Sequence, residues 1–202
     1  MSATERDLSI LEKIIKYCNE IIENNTEEAK LSLIIPTLER KQAAMEYRRE
    51  WLDSVPDGNI HIDGSSSFNR YDNYEEWLDK IEKNKYSHTP DWVFATTYFA
   101  VYNNKIIGSV NIRHSLNEPL LIRGGHIGYG VRPSERRKGF AAKMLALALE
   151  ECKKLGIKKV LVTCDKDNIG SARTIQKNGG ILENEFTDDA GGIIQRYWID
   201  IG

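Results

Sequence analysis

The 202-residue sequence has little of what would indicate a disulfide-stabilised, membrane-spanning or nucleic-acid-binding protein. Its three cysteines, Cys18, Cys152 and Cys164, are odd in number and scattered, which predicts free thiols in a reducing, cytoplasmic compartment. No apolar run approaches the roughly 20 residues that span a bilayer, and the N-terminus lacks a signal-peptide core, so no membrane partner is expected. The formal net charge of -2 gives no overall attraction to nucleic acid.

The apolar pattern predicts an α/β domain that follows an N-terminal helical extension. In the extension, residues 1–30, apolar side chains from Leu8 to Ile22 recur at helical spacing and would pack on the domain or on a second subunit, as in a homodimer. The domain, residues 31–202, contains a predicted hairpin around Asn103-Asn104. A strand–helix–strand–helix unit and a final hairpin follow, which predicts a mixed sheet.

Positive charge is concentrated before the helix predicted from the stretch VRPSERRKGFAAKML, residues 131–145. A helix start already carries partial positive charge, so additional cations there favour the arrival of an anion. Gly139 has no side chain and would let a diphosphate approach the backbone closely. The alternative is a basic turn that is merely solvated. The cations are Arg132, Arg136, Arg137 and Lys138.

Two familiar phosphate-binding motifs are excluded by their spacing. No G-x-x-x-x-G-K-[ST] motif occurs, which excludes a P-loop. Gly128 and Gly130 resemble half of a dinucleotide fingerprint, but Pro133 stands where the third glycine is needed.

The basic stretch resembles the acyl-CoA loop of the GNAT superfamily of N-acetyltransferases. The loop pattern [Q/R]-x-x-G-x-[G/A] corresponds to Arg136, Gly139 and Ala141. NIGSARTIQKNGG looks like the second family motif, in which an asparagine, here Asn168, opens a helix. The predicted order of elements matches over residues 31–199, and several segments also resemble a subgroup of predicted bacterial acetyltransferases without an assigned substrate.

The resemblance implies an α/β fold with a mixed, mostly antiparallel sheet of six to seven strands, in which the parallel strands four and five splay apart. It also implies acetyl-CoA as cosubstrate and no metal. The pantetheine arm would pair with the backbone of Val131, and N–H groups from Arg137 to Ala141 would bind the pyrophosphate. The implied cofactor-binding residues are Val131, Arg132, Arg136, Arg137, Lys138, Gly139, Phe140, Ala141 and Asn168.

The family transfers an acyl group directly to an amine, and a base and an acid assist the transfer. In many members a tyrosine seven residues after the motif asparagine is the acid, but this position is Ile175. The leaving thiolate is tolerable without full protonation, since a thiol has a pKa near 8.5. Ser171 is a substitute donor, with local helix capping as the alternative.

Three residues are candidates for the base. His126 lies on predicted strand four and, by strict alternation, shares a face with Gly128 and Gly130, which would leave open space beside it. The alternative is an ordinary packed histidine. Glu118, in the predicted loop before that strand, and His114, after strand three, are weaker candidates.

Other reactive or aromatic residues have structural interpretations. Cys164 ends predicted strand five near Asn168 and could be acylated, but buried cysteines are usually inert. The segment SSSFNRYDNYEEW matches in position the variable acceptor-binding region of the family, and its aromatic residues are expected to form core and lid packing. These aromatics are Phe68, Tyr71, Tyr74 and Trp77.

The leading hypothesis is therefore an acetyl-CoA-dependent N-acetyltransferase whose partners are acyl-CoA and an amine of a small molecule or peptide. The missing tyrosine motivates an alternative, a non-catalytic acyl-CoA-binding sensor or scaffold. A nucleic-acid-binding module using the Arg132–Lys138 patch is disfavoured, because one short patch lacks an extended basic footprint.

Overall fold

The computed structural model describes residues 10–17, 30–55, 60–86, 93–188 and 190–202. Two compact units divide the chain, Met1–Lys30 and Leu31–Gly202. In the first, residues 10–17 form helix α1, and the rest of the predicted extension helix lies outside the described residues. Docking of this helix on the domain or on a second subunit stays a prediction. Within the described ranges, no helix is both long and apolar enough to cross a bilayer.

The second unit begins with a short strand and two helices, and most of its strands follow later in the chain. Its helices are α2 (Lys41–Asp53), α3 (Tyr74–Lys83), α4 (Glu118–Ile122), α5 (Phe140–Lys154) and α6 (Ile169–Lys177). Its strands are β1 (Ser32–Ile34), β2 (Ala95–Tyr102), β3 (Lys105–Arg113), β4 (Ile127–Val131), β5 (Lys159–Asp165), β6 (Ile181–Thr187) and β7 (Ile193–Asp200).

The strands form two antiparallel sheets. The first has the order β1-β2-β3-β4, and the second has the order β5-β7-β6. The predicted hairpin joins β2 and β3, and its turn residues Asn103 and Asn104 have φ angles of 49° and 58°, as a two-residue hairpin turn requires. The α/β class and the mostly antiparallel pairing are confirmed.

The two sheets approach each other where β4 and β5 begin to separate. The His126 N–H donates to the Leu161 carbonyl at 2.8 Å, but β4 and β5 share no hydrogen-bonded ladder. The expected splay therefore divides the predicted mixed sheet into two. Beyond His126, no strand of the described chain pairs with the β5-facing edge of β4, Ile127–Val131.

Helix α5 covers both sheets. Its Met144, Leu145 and Ala148 are fully buried, in one cluster with Val110 of β3 and Val160 of β5. These helix positions lie on one face because residues three and four apart are neighbours on a helix. Because this face is buried against strands of both sheets, α5 is held beside the point where the two sheets separate.

A second core consists mainly of aromatic rings. Phe68 lies 4.4 Å from Trp77, and Trp77 stacks on Phe99 of β2 at 5.5 Å, as distances between ring centroids. Phe68, Tyr74 and Trp77 are fully buried, and Tyr71 packs at the edge of the cluster. The predicted core packing of this segment is confirmed, and it anchors the preceding loop against β3 and β4.

Candidate active site

A cleft opens where β4 and β5 separate, and its outer part consists of two pockets. The loop pocket, of about 470 Å³, lies between the segment around Gly139 and the side chains of Arg173 and Thr174 on α6. The middle pocket, of about 380 Å³, lies between Val131 and Asn168. Val131 and Thr174 border both pockets, so the two are direct neighbours.

The inner part of the cleft also consists of two pockets. The polar pocket, of about 300 Å³, contains the carboxylates of Asp63 and Asp165. The inner pocket, of about 260 Å³, lies between Lys80 and Leu120. Arg113 borders both, and Asp63 also borders the middle pocket, so the four pockets are neighbours in a row from the loop to the inner end of the cleft.

The start of α5 presents backbone donors to the loop pocket. Gly139 precedes the helix with a φ of 81°, and Arg137 also has a positive φ, 63°. No side chain caps this helix, and its first turn contains no acidic residue. The first N–H groups of a helix have no intrahelical acceptor, so those of Phe140 and Ala141 can receive an anion. The sequence predicted this arrangement.

Two of the four predicted cations are held by carboxylates, and a third is held by a ring. Arg132 donates to Glu50 and is largely buried, which corrects the expectation that its side chain is available to phosphates. Lys138 is exposed but pairs with Glu135 at 2.9 Å. Arg136 lies over the Trp51 ring, 4.7 Å from its centroid.

Helix α6 adds two cations that the sequence analysis missed. Arg173 and Lys177 are exposed and border the loop pocket opposite Arg137. Their spacing of four residues on a predicted helix was the available signal, since it puts both on one face. Which face met the loop depended on the packing of α6 against α5.

The start of α6 brings two hydroxyl groups together in the cleft. Asn168 caps the helix by accepting the Ser171 N–H with Oδ1 at 3.0 Å, so the predicted capping role of this turn is present. The Ser171 hydroxyl is also hydrogen-bonded to the Tyr129 hydroxyl at 2.9 Å. Burial raises the pKa of Tyr129 to about 12. Tyr129 was missed because the hydrogen bond joins residues far apart in sequence.

His126 is placed as a packed histidine and not at the cleft surface. Its Nδ1 accepts the Leu161 N–H at 2.9 Å, and the ring is buried. A neutral imidazole whose Nδ1 accepts carries its proton on Nε2, so neither nitrogen offers a lone pair to a substrate. Burial, with Arg113 nearby, lowers the pKa of His126 to about 4.

The space expected beside the strand-four glycines is occupied. A Cβ at Gly128 would lie 3.4 Å from the Arg113 guanidinium, and one at Gly130 would lie 2.6 Å from the Asp63 carbonyl oxygen. The glycines therefore permit close approach of the loop that carries Asp63, which corrects the interpretation of open space for a base.

Glu118 begins the short helix α4, which corrects its placement in a loop. It is exposed, and its neighbours Asn117 and Pro119, not Glu118 itself, border the inner pocket. His114 is hydrogen-bonded through Nε2 to the Thr96 hydroxyl at 2.9 Å. Neither residue stands beside the Ser171 end of the cleft.

Asp63 is the carboxylate that joins the middle and polar pockets. Its backbone is fixed because the Ser109 hydroxyl donates to its carbonyl at 2.9 Å. Its side chain is open to the cleft, and His61 Nε2 lies 3.6 Å from Oδ1. Partial removal from water raises the pKa of Asp63, and Asp165 nearby adds to the increase. Sequence reasoning missed Asp63, which lies in a polar loop without a motif.

Ile175, the position of the family tyrosine, faces the core. Its side chain is fully buried, and a Cβ at Gly180 would lie 2.4 Å from Ile175 Cγ2. Cys164 is also buried, and burial raises the pKa of its thiol to about 11, so it is protonated and unreactive at neutral pH. Ile175 therefore offers no acid, and a protonated Cys164 is not a nucleophile that could be acylated at neutral pH.

Ile175→Ala should therefore destabilise the fold without altering the chemistry. Loss of a fully buried isoleucine costs about 2–5 kcal/mol, which should lower the melting temperature by roughly 5–15 °C for a chain of this size. Ile169→Ala on the same helix is the control, because Ile169 is 53% exposed. Equal melting temperatures for the two variants would contradict the core placement.

The sequence matches the family model of the acetyltransferase (GNAT) domain over residues 38–181. The chain belongs to this family. The matched region runs from before α2 to the start of β6 and contains all the residues named above as lining the cleft, and the prediction of an acetyltransferase is confirmed. No curated protein matches the chain significantly. Among the described residues, no group of three or more His, Cys, Asp or Glu side chains is placed to hold a metal ion.

Several solved structures share the fold. An acetyl transferase from Salmonella typhimurium that modifies the N-terminal serine of ribosomal protein L7/L12 has a TM-score of 0.60 and 17% identity, over 87% of this chain and 97% of that one. The microcin C7 self-immunity acetyltransferase MccE, solved with acetyl-CoA and AMP, has a TM-score of 0.61 and 18% identity, over 87% and 94%. The yncA protein from Salmonella typhimurium, solved with acetyl-CoA, has a TM-score of 0.57 and 12% identity, over 85% and 94%.

Proposed function

We propose that the protein is a cytoplasmic N-acetyltransferase that binds acetyl-CoA in the cleft and transfers the acetyl group to a primary amine of a small molecule or peptide. The uncapped start of α5 beside the open edge of β4 carries the proposal. Two relatives of the same fold hold acetyl-CoA, which supports the choice of donor. Free, buried thiols at Cys152 and Cys164 support a reducing compartment.

The outer pockets would bind the donor. The pantetheine arm lies along the open edge of β4 and pairs with Val131 as an added strand would. Its pyrophosphate accepts hydrogen bonds from the N–H groups of Arg137–Ala141. Arg173 and Lys177 stand across the loop pocket from these donors and attract the phosphates. Arg132, paired with Glu50, holds the loop in place.

Transfer ends with protonation of the sulfur. The amine nitrogen attacks the thioester carbonyl carbon, the carbon–sulfur bond breaks, and the electron pair leaves on the sulfur of coenzyme A. Ser171 donates its hydroxyl proton to that sulfur while Tyr129, hydrogen-bonded to it, passes its own proton to Ser171, and Tyr129 regains a proton from water once the products have left. Because the pKa of Tyr129 is raised to about 12, this hydroxyl is protonated at neutral pH.

Asp63 would accept the proton of the attacking amine. It borders both the middle pocket, where Ser171 lies, and the polar pocket, where an amine can enter. A raised pKa makes its carboxylate a better base than an ordinary aspartate. His126 has no part in this proposal because its Nδ1 is occupied, and Glu118 has none because it borders neither of the pockets that contain Ser171.

Thiol release from acetyl-CoA in the presence of amines tests the proposal. Acetyl-CoA should raise the melting temperature whether the protein is an enzyme or a sensor, but only an enzyme should release thiol when an amine is added. Binding without release for any amine would favour the sensor.

Ser171→Ala should lower kcat about tenfold to hundredfold, at the low end of acid catalysis because the thiolate is a tolerable leaving group. Tyr129→Phe should lower kcat less, and the double variant should be no slower than Ser171→Ala, because the two hydroxyls act in series. Ser115→Ala is the control, because Ser115 is exposed and borders none of the four pockets described above. Additive losses would show that the hydroxyls act separately.

A further inference from the structure

The inner pocket differs in charge from the polar pocket beside it. Lys80 and Arg113 border it, and no aspartate or glutamate is among the described residues that do so. Lys80 Nζ donates to the Ser66 carbonyl at 2.7 Å, which holds the ammonium at the wall. Arg113 Nη1 donates to the carbonyls of Gly124 and Gly125 at 3.0 and 3.3 Å. Burial lowers the pKa of Arg113 only to about 10, so it is charged at neutral pH.

An unpaired amide donor lies in the same wall. Asn84 borders the inner pocket and is only 7% exposed, and its Nδ2 has no hydrogen-bond partner in the described chain. Buried polar groups without partners are uncommon and costly, and a ligand oxygen is one way to satisfy them. Two cations and an amide donor thus suit an anionic group with oxygen acceptors, such as a carboxylate.

The opposite end of this space suits an amine. Asp63 stands between the polar and middle pockets, and no lysine or arginine is paired with it among the described ion pairs. The other carboxylate of the polar pocket, Asp165, is already paired with Arg123 at 2.9 Å. Asp63 is therefore the carboxylate best placed to attract an incoming ammonium group.

The walls of the inner pocket are mostly apolar, and the pocket is small. Val93, Ala95, Pro119 and Leu120 contribute to the walls of the inner pocket. Its volume is about 260 Å³. A short alkyl chain fits this description, whereas a folded protein segment does not.

We propose that the acceptor is a small amino acid whose amine and carboxylate stand at opposite ends of an apolar chain. The amine lies at Asp63, and the carboxylate lies in the inner pocket against Lys80, Asn84 and Arg113. This inference rests on the proposed function, since it names the acceptor of the same reaction.

Three probes of matched size separate the features of this acceptor. 6-Aminohexanoate has the required charges, 6-aminohexanamide lacks the negative charge, and norleucine is an isomer with amine and carboxylate on one carbon. Calorimetric titration into the CoA-saturated protein measures binding without turnover. 6-Aminohexanoate should bind at least about tenfold more tightly than either analogue. Equal binding of acid and amide, or tighter binding of norleucine, would overturn the proposal.

Substitutions at the wall locate the carboxylate. Lys80→Met should weaken binding of the acid about tenfold and leave the amide unchanged, whereas Lys80→Arg should retain the preference. Lys83→Met, an exposed lysine on the same helix, is the matched control. If Lys80→Met lowers the melting temperature, Asn84→Leu provides a second test and should also reduce the preference. If both variants still prefer 6-aminohexanoate to its amide as strongly as the unsubstituted protein does, the carboxylate does not lie in this pocket and the assignment is overturned.

Thiol release separates the acceptor class from the reaction itself. Faster thiol release with 6-aminohexanoate than with its amide supports both the acceptor class and the transfer reaction. Release at equal rates with the two probes overturns the acceptor class and leaves the transferase intact. Selective binding of the acid without release would uphold the pocket assignment and overturn the proposed transfer.

Discussion

Gly139→Glu is expected to abolish acetyl-CoA binding, with a loss of affinity of about hundredfold or more, or about 2.8 kcal/mol. A Cβ at this position would meet no atom within 4 Å, so a side chain there would extend freely. The glutamate carboxylate would stand beside the uncapped N–H groups of α5, where the pyrophosphate is proposed to lie. It would compete for the same donors and repel the phosphates.

The backbone effect of this substitution can be measured separately. Gly156 lies at the other end of α5 with a φ of 77° and no atom within 4 Å of an added Cβ. Gly156→Glu therefore imposes a similar left-handed strain of about 1–2 kcal/mol, far along the helix from the loop. Gly139→Ala introduces the strain at the loop without the charge.

Thermal shift and calorimetry with acetyl-CoA distinguish these variants. Gly156→Glu should lose stability and keep its affinity, Gly139→Ala should bind more weakly, and Gly139→Glu should not bind. Arg137→Ala should lose only a few-fold in affinity, because the backbone donors remain. Unchanged affinity in Gly139→Glu would mean that the loop is a solvated turn.

Asp63→Asn is expected to lower kcat about hundredfold or more, as loss of a general base does. Asparagine keeps the shape of the side chain, and the Ser109 hydroxyl can still donate to the backbone carbonyl. Asp165→Asn is the matched control, because Asp165 borders the same pocket but is paired with Arg123. The kcat of Asp165→Asn should fall by less than about tenfold. Equal losses in the two variants would contradict a base role for Asp63.

The pH dependence of kcat provides a second measurement. Partial removal from water raises the pKa of Asp63 above its ordinary 3.8, reinforced by Asp165 and opposed by His61, Arg136 and Arg113. Only the ionised carboxylate accepts a proton, so kcat at saturating acceptor should fall as pH decreases through this raised value. Asp63→Asn should lose that acidic limb. If the acidic limb persists unchanged in Asp63→Asn, the titration of another group causes it.

The backbone of the outer end of the cleft was largely predictable from the sequence because its signals are local. A positive φ at Gly139, backbone donors in the first helical turn, and Asn168 as a cap all depend on residues within a few positions of one another. The Asn103-Asn104 hairpin is equally local. Such features can be predicted without knowing which elements pack together.

The roles of individual polar side chains depended on distant partners. Arg132 is occupied by Glu50, 82 positions away, and Nδ1 of His126 by the Leu161 N–H, 35 positions away. Tyr129 meets Ser171 across 42 positions. None of these pairs has a spacing signal, because their proximity results from packing of separate elements.

The sequence by itself determined the α/β class, the glycine-led start of α5 and the position of the α6 start, because periodicity and turn chemistry act over a few residues. Only the tertiary structure decided that Asp63, carried by a loop without a motif, stands over β4. The close approach of backbones at Gly130 and Gly64 makes that placement possible. It also decided that Ile175 faces the core, since the rotation of α6 is fixed by burial of its apolar face and not by its sequence motif.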